Sequence, residues 1–435
     1  MRPERRAAGV LLAALLGFAA PACSGLFRAR PDIVLIVIDT LRRDHLPPYG
    51  YEKPTAPFLA SLASRGAVLE NAYSTSAWTA PATASLFTGL YPLQHGVVLG
   101  RFAVRQLQAE GVPVRLNRIP QEAVTIPEAL KRGGYATHAV VENSNVRPEL
   151  GFDQGFDSFH PLNPSQRADT ITEKLLELRA TILARRPYFL YLHYMDPHRP
   201  YVKNPPFFDR QARGDARSVS AYDSEIHHVD EHIARAFEAF GWSRNTLVMV
   251  TADHGEELGE RGHWGHARTL FAETLNVPLL VYGAGVPAGR RIRAAVSHVD
   301  VKPTLRSAAG APATTPRAGL DLWPLLRGKV EALPERVLFA DFWKPGGEGA
   351  VPQVKAAIQG RYKRIDGPGG PYLFDLWQDP RELRNRIGLR SREAEALEQA
   401  LARFEAAAPR LRPEHLETVQ DQKMNEELRA LGYVN

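Results

Sequence analysis

The chain has 435 residues, of which 44% are hydrophobic and 23% are charged, a composition that excludes a disordered or fibrous protein. The net charge of +6 comes without a run of lysine or arginine, so the sequence gives no argument for a nucleic-acid partner. Cys23 is the only cysteine, which excludes an intrachain disulfide and a thiolate metal site.

The first residues predict a secretory signal peptide over residues 1–22. Three arginines form its basic start, and the apolar stretch from Ala8 to Ala20 is too short to span a bilayer comfortably. Cys23 follows directly and resembles a bacterial lipoprotein acylation site, while ordinary signal cleavage is the alternative. Cleavage leaves a net charge of +4. We therefore predict an exported protein, periplasmic or on the outer membrane. Its contact with the membrane would be a lipid on Cys23, with 23–31 as a tether.

Alternating strands and helices follow. Residues 33–38 are a continuous run of β-branched and leucine residues, which is typical of a strand buried on both faces of a parallel sheet. Further strands are predicted at 136–141, 188–192, 246–250 and 277–282, and helices at 55–65, 125–132 and 222–240. This alternation predicts an α/β fold with a mostly parallel sheet flanked by helices.

The pattern of predicted secondary structure changes after about residue 333. Short strand patterns come one after another, and a helical tail begins at Ser391. We predict a catalytic domain over 32–333 and a smaller C-terminal α+β part over 334–435 with a short antiparallel sheet. The segment 100–121 carries few signals and is predicted to be a loop over the site.

Polar residues follow three of the predicted strands. Asp39 ends the first, His198 comes after the strand at 188–192, and Asp253-His254 come after the strand at 246–250. Ligands of parallel sheets bind beyond the carboxyl ends of the strands, so we expect these side chains to form one site. By contrast, His193 is expected to pack within its strand, and Glu256 is expected to be structural.

Thr79 stands at the head of a predicted short helix that ends at Gly89. The first-turn N–H groups and the helix dipole would face an anion held there. The alternative is an ordinary N-cap threonine. Asp39, Thr79, Asp253 and His254 are predicted to hold one divalent metal ion, with Mg, Ca, Mn and Zn all suited to these ligands. A cation lowers the pKa of a neighbouring hydroxyl, which would make Thr79 a nucleophile.

Two histidines are predicted to serve the leaving group. His266 and His198 are placed to protonate the leaving oxygen of an ester or to bind its anion.

Six ordered segments resemble the sulfatase family of the alkaline phosphatase superfamily. They are Asp39–His45, Thr79–Pro92, Gly151–Asp157, Asp196–Tyr201, Asp253–Glu256 and Leu373–Pro380. The resemblance implies an alkaline-phosphatase-like core and a metal-dependent hydrolase of sulfate or phosphate esters. The substrate would be an anionic ester, for which an envelope glycan or lipid is a candidate.

The departures from the family pattern lie at the positions that would carry out the reaction. Thr79 stands where the family carries the cysteine or serine that is oxidised to formylglycine, and Thr83 replaces an arginine. Asn143 lies in the segment that replaces a sulfate-binding Gly-Lys-x-His, and it is predicted to contact the substrate. His266 replaces a lysine. These changes resemble the phosphoryl-handling branches, so a phosphoryl ester is preferred as substrate. The alternatives are a sulfatase that uses unmodified Thr79, a phosphoglycerol- or phosphoethanolamine-type transferase, and an inactive binding protein.

Overall fold

The computed structural model describes residues 30–100, 115–163, 167–315, 318–343, 353–412 and 414–417. The predicted signal peptide, Cys23 and most of the tether lie outside these residues. From Pro31 onwards the described chain forms one compact unit, so the predicted boundary at residue 333 stays a prediction. Within the described ranges, none of the helices has both the length and the apolar character needed to cross a bilayer.

The strands are numbered in chain order. They are β1 (Asp32–Ile38), β2 (Ala67–Tyr73), β3 (Arg115–Arg118), β4 (Ala136–Val141), β5 (Ser158–Pro161), β6 (Tyr188–Tyr194), β7 (Thr246–Thr251), β8 (Glu257–Leu258), β9 (Trp264–Gly265), β10 (Asn276–Val277), β11 (Leu279–Tyr282), β12 (Arg290–Ser297), β13 (Leu338–Phe342), β14 (Val354–Gln359), β15 (Tyr362–Asp366), β16 (Tyr372–Asp375) and β17 (Glu414–Glu417).

The α-helices are numbered in the same way. They are α1 (Pro57–Ser64), α2 (Thr79–Thr88), α3 (Pro92–His95), α4 (Ile126–Arg132), α5 (Ala168–Leu183), α6 (Gly214–Phe240), α7 (Ala272–Leu275), α8 (Val301–Ala308), α9 (Trp323–Leu326) and α10 (Ser391–Ala407).

Nine of the described strands form the central sheet, in the order β10-β2-β11-β7-β1-β6-β4-β5, with β12 paired to β2. β1 lies between β6 and β7 and is parallel to both, with Ile33 opposite Phe189 and Leu247. Only β10 and β11 run antiparallel to their neighbours. Every residue of β1 is buried, as its continuous apolar run predicts. The predicted mostly parallel sheet is confirmed.

The longest helix, α6, starts earlier than the sequence predicts. Its apolar face, which includes Ile226, Val229 and Ile233, is buried. The prediction began at Tyr222, whereas the helix begins at Gly214. The first three residues of the helix are exposed and the next three are half-buried, and no apolar periodicity marks these turns in the sequence.

The C-terminal part has a sheet of its own, in which β13, β14, β15 and β16 pair antiparallel. Helix α10 packs against β14 and β15. The predicted short antiparallel sheet is therefore confirmed. The predicted loop at 100–121 is wrong for four residues, because β3 pairs with β17. The partner strand is remote in sequence, so no local pattern reveals the pairing. Residues 101–114 lie outside the described ranges.

Candidate active site

The sheet brings the two predicted carboxylates together at its carboxyl edge. Asp39 follows β1, and Asp253 follows the neighbouring strand β7; both are fully buried. The backbone N–H groups of Thr40 and His254 donate to Oδ1 of Asp253, at 3.2 and 2.8 Å. One oxygen of Asp253 is thus fixed by the backbone, which leaves Oδ2 for the site.

The ring of His254 directs Nε2 toward both carboxylates. Its Nδ1 lies 2.9 Å from the carbonyl oxygen of Gly255. Because a carbonyl only accepts hydrogen bonds, Nδ1 carries a proton, and in the neutral ring Nε2 is then the acceptor. Nε2 lies 3.4 Å from Oδ2 of Asp253 and 3.9 Å from Oδ1 of Asp39. Among the described residues, neither of these two oxygens has a hydrogen-bond partner.

We call these three atoms, Oδ1 of Asp39, Oδ2 of Asp253 and Nε2 of His254, the acceptor cluster. Burial and the neighbouring Asp253 carboxylate raise the pKa of Asp39 well above its ordinary value. Buried acceptors that face one another without a donor are unfavourable unless a cation lies between them. The donor set of two carboxylates and an imidazole therefore fits a divalent metal ion.

His193 is the metal-ligand candidate that the sequence analysis missed. Asp39, His193 and Asp253 each offer one ligand atom, and these atoms lie within 4.8 Å of one another. Nε2 of His193 is 3.4 Å from Oδ2 of Asp39, and Nδ1 is 2.8 Å from the Tyr191 hydroxyl oxygen. Burial lowers the pKa of His193 to about 4, so the ring is neutral, as a metal ligand must be. The available signal was a histidine near the carboxyl end of an otherwise apolar strand.

Thr79 lies beside this cluster. It is the first residue of α2, it is buried, and its Oγ1 is 3.4 Å from Nε2 of His254. The N-cap position belongs to Trp78, so the alternative of an N-cap threonine is wrong. One turn further along, Thr83 is buried, and its hydroxyl has no hydrogen-bond partner within the described part of the chain. Gly89 ends the helix with φ +68°, as predicted.

The two leaving-group candidates lie close to His254. The rings of His266 and His254 are 4.5 Å apart, and those of His198 and His266 are 5.0 Å apart. Nδ1 of His266 is 3.1 Å from Oε1 of Glu256. Burial lowers the pKa of His198 to about 3 and that of His266 to about 4, so both rings are neutral at pH 7. Burial raises the pKa of Glu256 to about 7. Glu256, expected to be structural, thus contacts a predicted catalytic residue.

Asn143 is engaged by the protein. Its Nδ2 donates to Oδ2 of Asp39 and approaches the sulfur of Met195 at 3.5 Å. Its Oδ1 accepts the N–H of Asn145 at 2.7 Å. In this arrangement the amide orients Asp39. Contact with a substrate, as the sequence analysis expected, stays a prediction.

The C-terminal part holds the segment that carries His266. Oε2 of Glu382 accepts the N–H of Ala272 at 3.0 Å. The guanidinium of Arg261 lies 4.0 Å from the ring centroid of Phe271 and donates to the carbonyl of Glu382 at 3.0 Å. Oε1 of Glu382 pairs with the buried Lys363 at 2.8 Å. Both ends of the segment are therefore tied to residues beyond the central sheet.

Comparison with known proteins decides the family. A family model described as Sulfatase matches residues 31–311. The chain belongs to the sulfatase family. A second model, described as N-sulphoglucosamine sulphohydrolase, C-terminal, matches residues 259–406 of this sulfatase-family chain. The family is metal-dependent, and the chain is an ester hydrolase.

Three known proteins illustrate the similarity. Choline-sulfatase of Rhizobium meliloti (strain 1021) is 26% identical over an alignment of 443 positions, and the alignment covers 82% of each chain. The phosphonate monoester hydrolase of Agrobacterium radiobacter shares the fold, with a TM-score of 0.70, 19% identity and coverage of 87% of this chain and 96% of the other. So does an enzyme solved with its substrate D-glucosamine-2-N,6-O-disulfate, with a TM-score of 0.72, 19% identity and coverage of 87% and 99%.

Proposed function

We propose that this sulfatase-family hydrolase cleaves a phosphoryl ester and that Oγ1 of Thr79 is the nucleophile. The observation that carries the proposal is the 3.4 Å separation of Oγ1 from Nε2 of His254, beside two carboxylate oxygens that have no hydrogen-bond partner among the described residues. Threonine is not a substrate for the oxidation that gives formylglycine. A sulfo-threonine would lack the hemiacetal route of release, whereas a phospho-threonine can be resolved by water.

Asp39, Asp253 and His254 would hold one divalent cation, with His193 and Thr79 as the remaining candidate ligands. When bound, the cation would supply positive charge to a non-bridging oxygen of the ester and lower the pKa of the Thr79 hydroxyl. The acceptor cluster is the feature that supports this ligand set.

The protein's own groups carry the rest of the reaction. Thr79 first gives its hydroxyl proton to solvent, as a lowered pKa permits, and its Oγ1 then forms a bond to phosphorus while the bond from phosphorus to the alcohol oxygen breaks. Nε2–H of His266 donates a proton to the departing oxygen, and Glu256 replaces that proton at Nδ1, over the 3.1 Å contact. A pKa of about 7 suits Glu256 for this exchange near neutral pH. In the second step water bonds to phosphorus and gives a proton to Nε2 of His266, Nδ1 returns its proton to Glu256, and Thr79 leaves phosphorus as the oxyanion that begins the next cycle.

A second candidate function is the hydrolysis of a sulfuric ester. The 26% identity to choline-sulfatase over most of both chains favours it. The fold shared with a phosphonate monoester hydrolase is compatible with the phosphoryl alternative. A transferase would use the same first step and differ in the acceptor, an alcohol in place of water. The retained acceptor cluster argues against an inactive binding protein, for which metal analysis should find no bound divalent ion.

Paired assays test the proposal. The protein is incubated with 4-nitrophenyl phosphate, bis(4-nitrophenyl) phosphate and 4-nitrophenyl sulfate, each with added Mn²⁺, Mg²⁺, Ca²⁺ or Zn²⁺. We expect turnover of a phosphoryl ester to exceed that of the sulfate. Thr79→Ala should abolish it, and trapping followed by mass spectrometry should place the phosphoryl group on residue 79. Thr83→Val is the matched control, because it removes a neighbouring hydroxyl that has no partner in the described chain. Faster turnover of the sulfate, or activity in Thr79→Ala, would overturn the proposal.

Export and lipidation of Cys23 also belong to the proposed function, on the signal-peptide pattern and the cysteine that follows it. Fractionation of a bacterial host fed labelled palmitate should place label and protein together in the membrane fraction. Cys23→Ser should carry no label and move to the soluble periplasmic fraction. Label on Cys23→Ser, or an unlabelled wild-type protein, would contradict the lipid anchor.

A further inference from the structure

A cleft of about 470 Å³ is lined by residues that are close in the chain to His198 and His266, among them Arg199 and Trp264. Three parts of the chain form it: the loop that follows β6, the start of α6 and the hairpin of β8 and β9. The residues that matter for its chemistry are Arg199, Lys203, Asp215, Arg217 and Trp264. The reaction proposed above uses none of them.

The charge of this cleft is predominantly positive. Arg199, Lys203 and Arg217 line it, and among the described lining residues Asp215 is the single acid. Nζ of Lys203 and Cζ of Arg217 lie 5.9 and 5.0 Å from the centroid of the same ring, that of the buried Phe208. Lys203 and Arg217 thus both make a cation–π contact with the ring of Phe208, which places the two cations close together. Clefts lined by one sign of charge concentrate ligands of the opposite sign.

Residues next to the two leaving-group histidines in the chain line the cleft. Nδ1 of His198 is hydrogen-bonded to the carbonyl oxygen of Arg199, and the side chain of Arg199 lines the cleft. Trp264, which is half-buried in the cleft wall, comes two residues before His266. Oγ1 of Thr79 lies 3.4 Å from Nε2 of His254, and the His254 ring lies 4.5 Å from the ring of His266. An ester whose leaving oxygen faces His266 would have its alcohol part next to the two segments that carry Arg199 and Trp264 into the cleft.

We infer that this cleft binds a second anionic group on the alcohol part of the substrate. The inference rests on the proposed function, because it takes the direction of the leaving group from it. A carboxylate, sulfate or phosphate on the alcohol pairs with Lys203 and Arg217, while Trp264 offers a ring face to the carbon skeleton of the alcohol. The substrate class is accordingly a polyanionic ester, such as an acidic sugar, in place of a neutral or cationic alcohol.

Two esters that differ by one charge test this. They are 4-nitrophenyl phosphate and 3-carboxy-4-nitrophenyl phosphate, compared at low ionic strength. We expect the wild-type protein to show a KM for the carboxylated ester about fivefold lower, which is the size of a favourable exposed charge contact. Lys203→Gln/Arg217→Gln should raise that KM about fivefold while kcat and the KM of the plain ester stay unchanged. Asp215→Asn should lower the KM of the carboxylated ester.

Arg132→Gln/Arg244→Gln is the matched control. These two exposed arginines precede β4 and β7 and so lie at the opposite edge of the sheet. The same loss of charge there should leave both KM values unchanged. Calorimetric titration of Thr79→Ala with each ester measures binding without turnover and should show the same preference.

The outcomes separate the two proposals. Equal KM values and equal affinities for the two esters, with turnover intact, would overturn the cleft assignment and leave the proposed function standing. Absence of turnover with both esters, together with tighter calorimetric binding of the carboxylated one, would overturn the proposed function and support the cleft. A preference that survives Lys203→Gln/Arg217→Gln would assign the second anionic group to other residues and so overturn the cleft assignment.

Discussion

The side-chain amide of Asn143 donates to Oδ2 of Asp39 and so leaves Oδ1 as the atom of that carboxylate that faces His254. The amide is itself held, because its Oδ1 accepts the N–H of Asn145. A side chain that orients a metal ligand is commonly worth 10- to 100-fold in metal affinity.

We therefore expect Asn143→Ala to weaken the binding of a divalent cation by about tenfold or more. The carboxylate of Asp39 loses its donor and is free to rotate away from the cluster. Titration with Mn²⁺, followed by electron paramagnetic resonance, measures the affinity. Asn71→Ala is the control, because Asn71 lies on β2 with its amide on the carbonyl of Arg293. If Asn143→Ala bound Mn²⁺ as the wild type does, the amide would have another role.

Metal removal should change stability as well as activity. Stripping the protein with a chelator leaves the acceptor cluster uncompensated, so we expect a lower Tm that recovers on addition of the ion. Saturation at 100 times the Kd stabilises by about 2.7 kcal/mol. Asp253→Asn should abolish the recovery without lowering the Tm of the metal-free protein, because it removes one of two facing carboxylates. Thermal unfolding with and without metal measures both, and a metal-dependent Tm in Asp253→Asn would remove Asp253 from the ligand set.

The buried ion pair of Lys363 and Glu382 is expected to dominate the stability of the C-terminal part. Both side chains are fully buried, and their charged atoms are 2.8 Å apart. Glu382→Gln leaves the ammonium group without its counter-charge, which costs about 3–5 kcal/mol. Urea unfolding measures the loss.

Two comparisons sharpen that test. Lys363→Met/Glu382→Leu removes both charges and should recover most of the stability. Glu177→Gln, which breaks the exposed pair of Lys174 and Glu177, should cost less than about 1 kcal/mol. A Glu382→Gln variant as stable as this control would show that the ammonium group is otherwise compensated.

A pH dependence of stability is expected from Asp223. Burial opposes its ionisation, but His45, Lys53 and Tyr51 contact its two oxygens at 2.7 to 2.8 Å and lower its pKa below the ordinary value of 3.8. A depressed pKa contributes stability above the unfolded-state value and loses it as the pH falls through the folded-state value. Asp223→Asn should therefore cost about 2 kcal/mol at pH 7 and flatten the acid limb below about pH 4. Urea unfolding between pH 3 and 8 measures this, with the exposed Asp209→Asn as control; an unchanged acid limb would contradict it.

Most of the sheet was predictable because its strands are buried on both faces. β1 and β7 are continuous apolar runs, and a polar residue at the end of such a run marks the edge where ligands bind. Asp39 and Asp253 were found in that way. The first turns of α6 and the short strand β3 escaped, since one has no apolar pattern and the other depends on a partner from the far end of the chain.

Within the site, the sequence indicated the metal-ligand candidates better than the residues that contact and orient them. His193 lies inside a strand, where packing is the usual role of a buried histidine, and only the register with β1 brings it to Asp39. The contacts of Asn143 and Glu256 depend on side-chain directions across elements that are distant in sequence. Spacing along the chain carries no information about such directions. Likewise, the choice of Trp78 over Thr79 as N-cap depends on one backbone dihedral.

The contacts of Glu382 with Arg261 and Ala272 connect the C-terminal part to the segment that carries His266, and Arg261 also packs on Phe271. A protein shortened after β12 would retain every atom of the acceptor cluster and lose the brace on the stretch that presents His266. Such a fragment would still bind the divalent metal ion but would release the alcohol product slowly. Residues of the C-terminal part, which lie outside the acceptor cluster, therefore help to determine how firmly the segment that carries His266 is held.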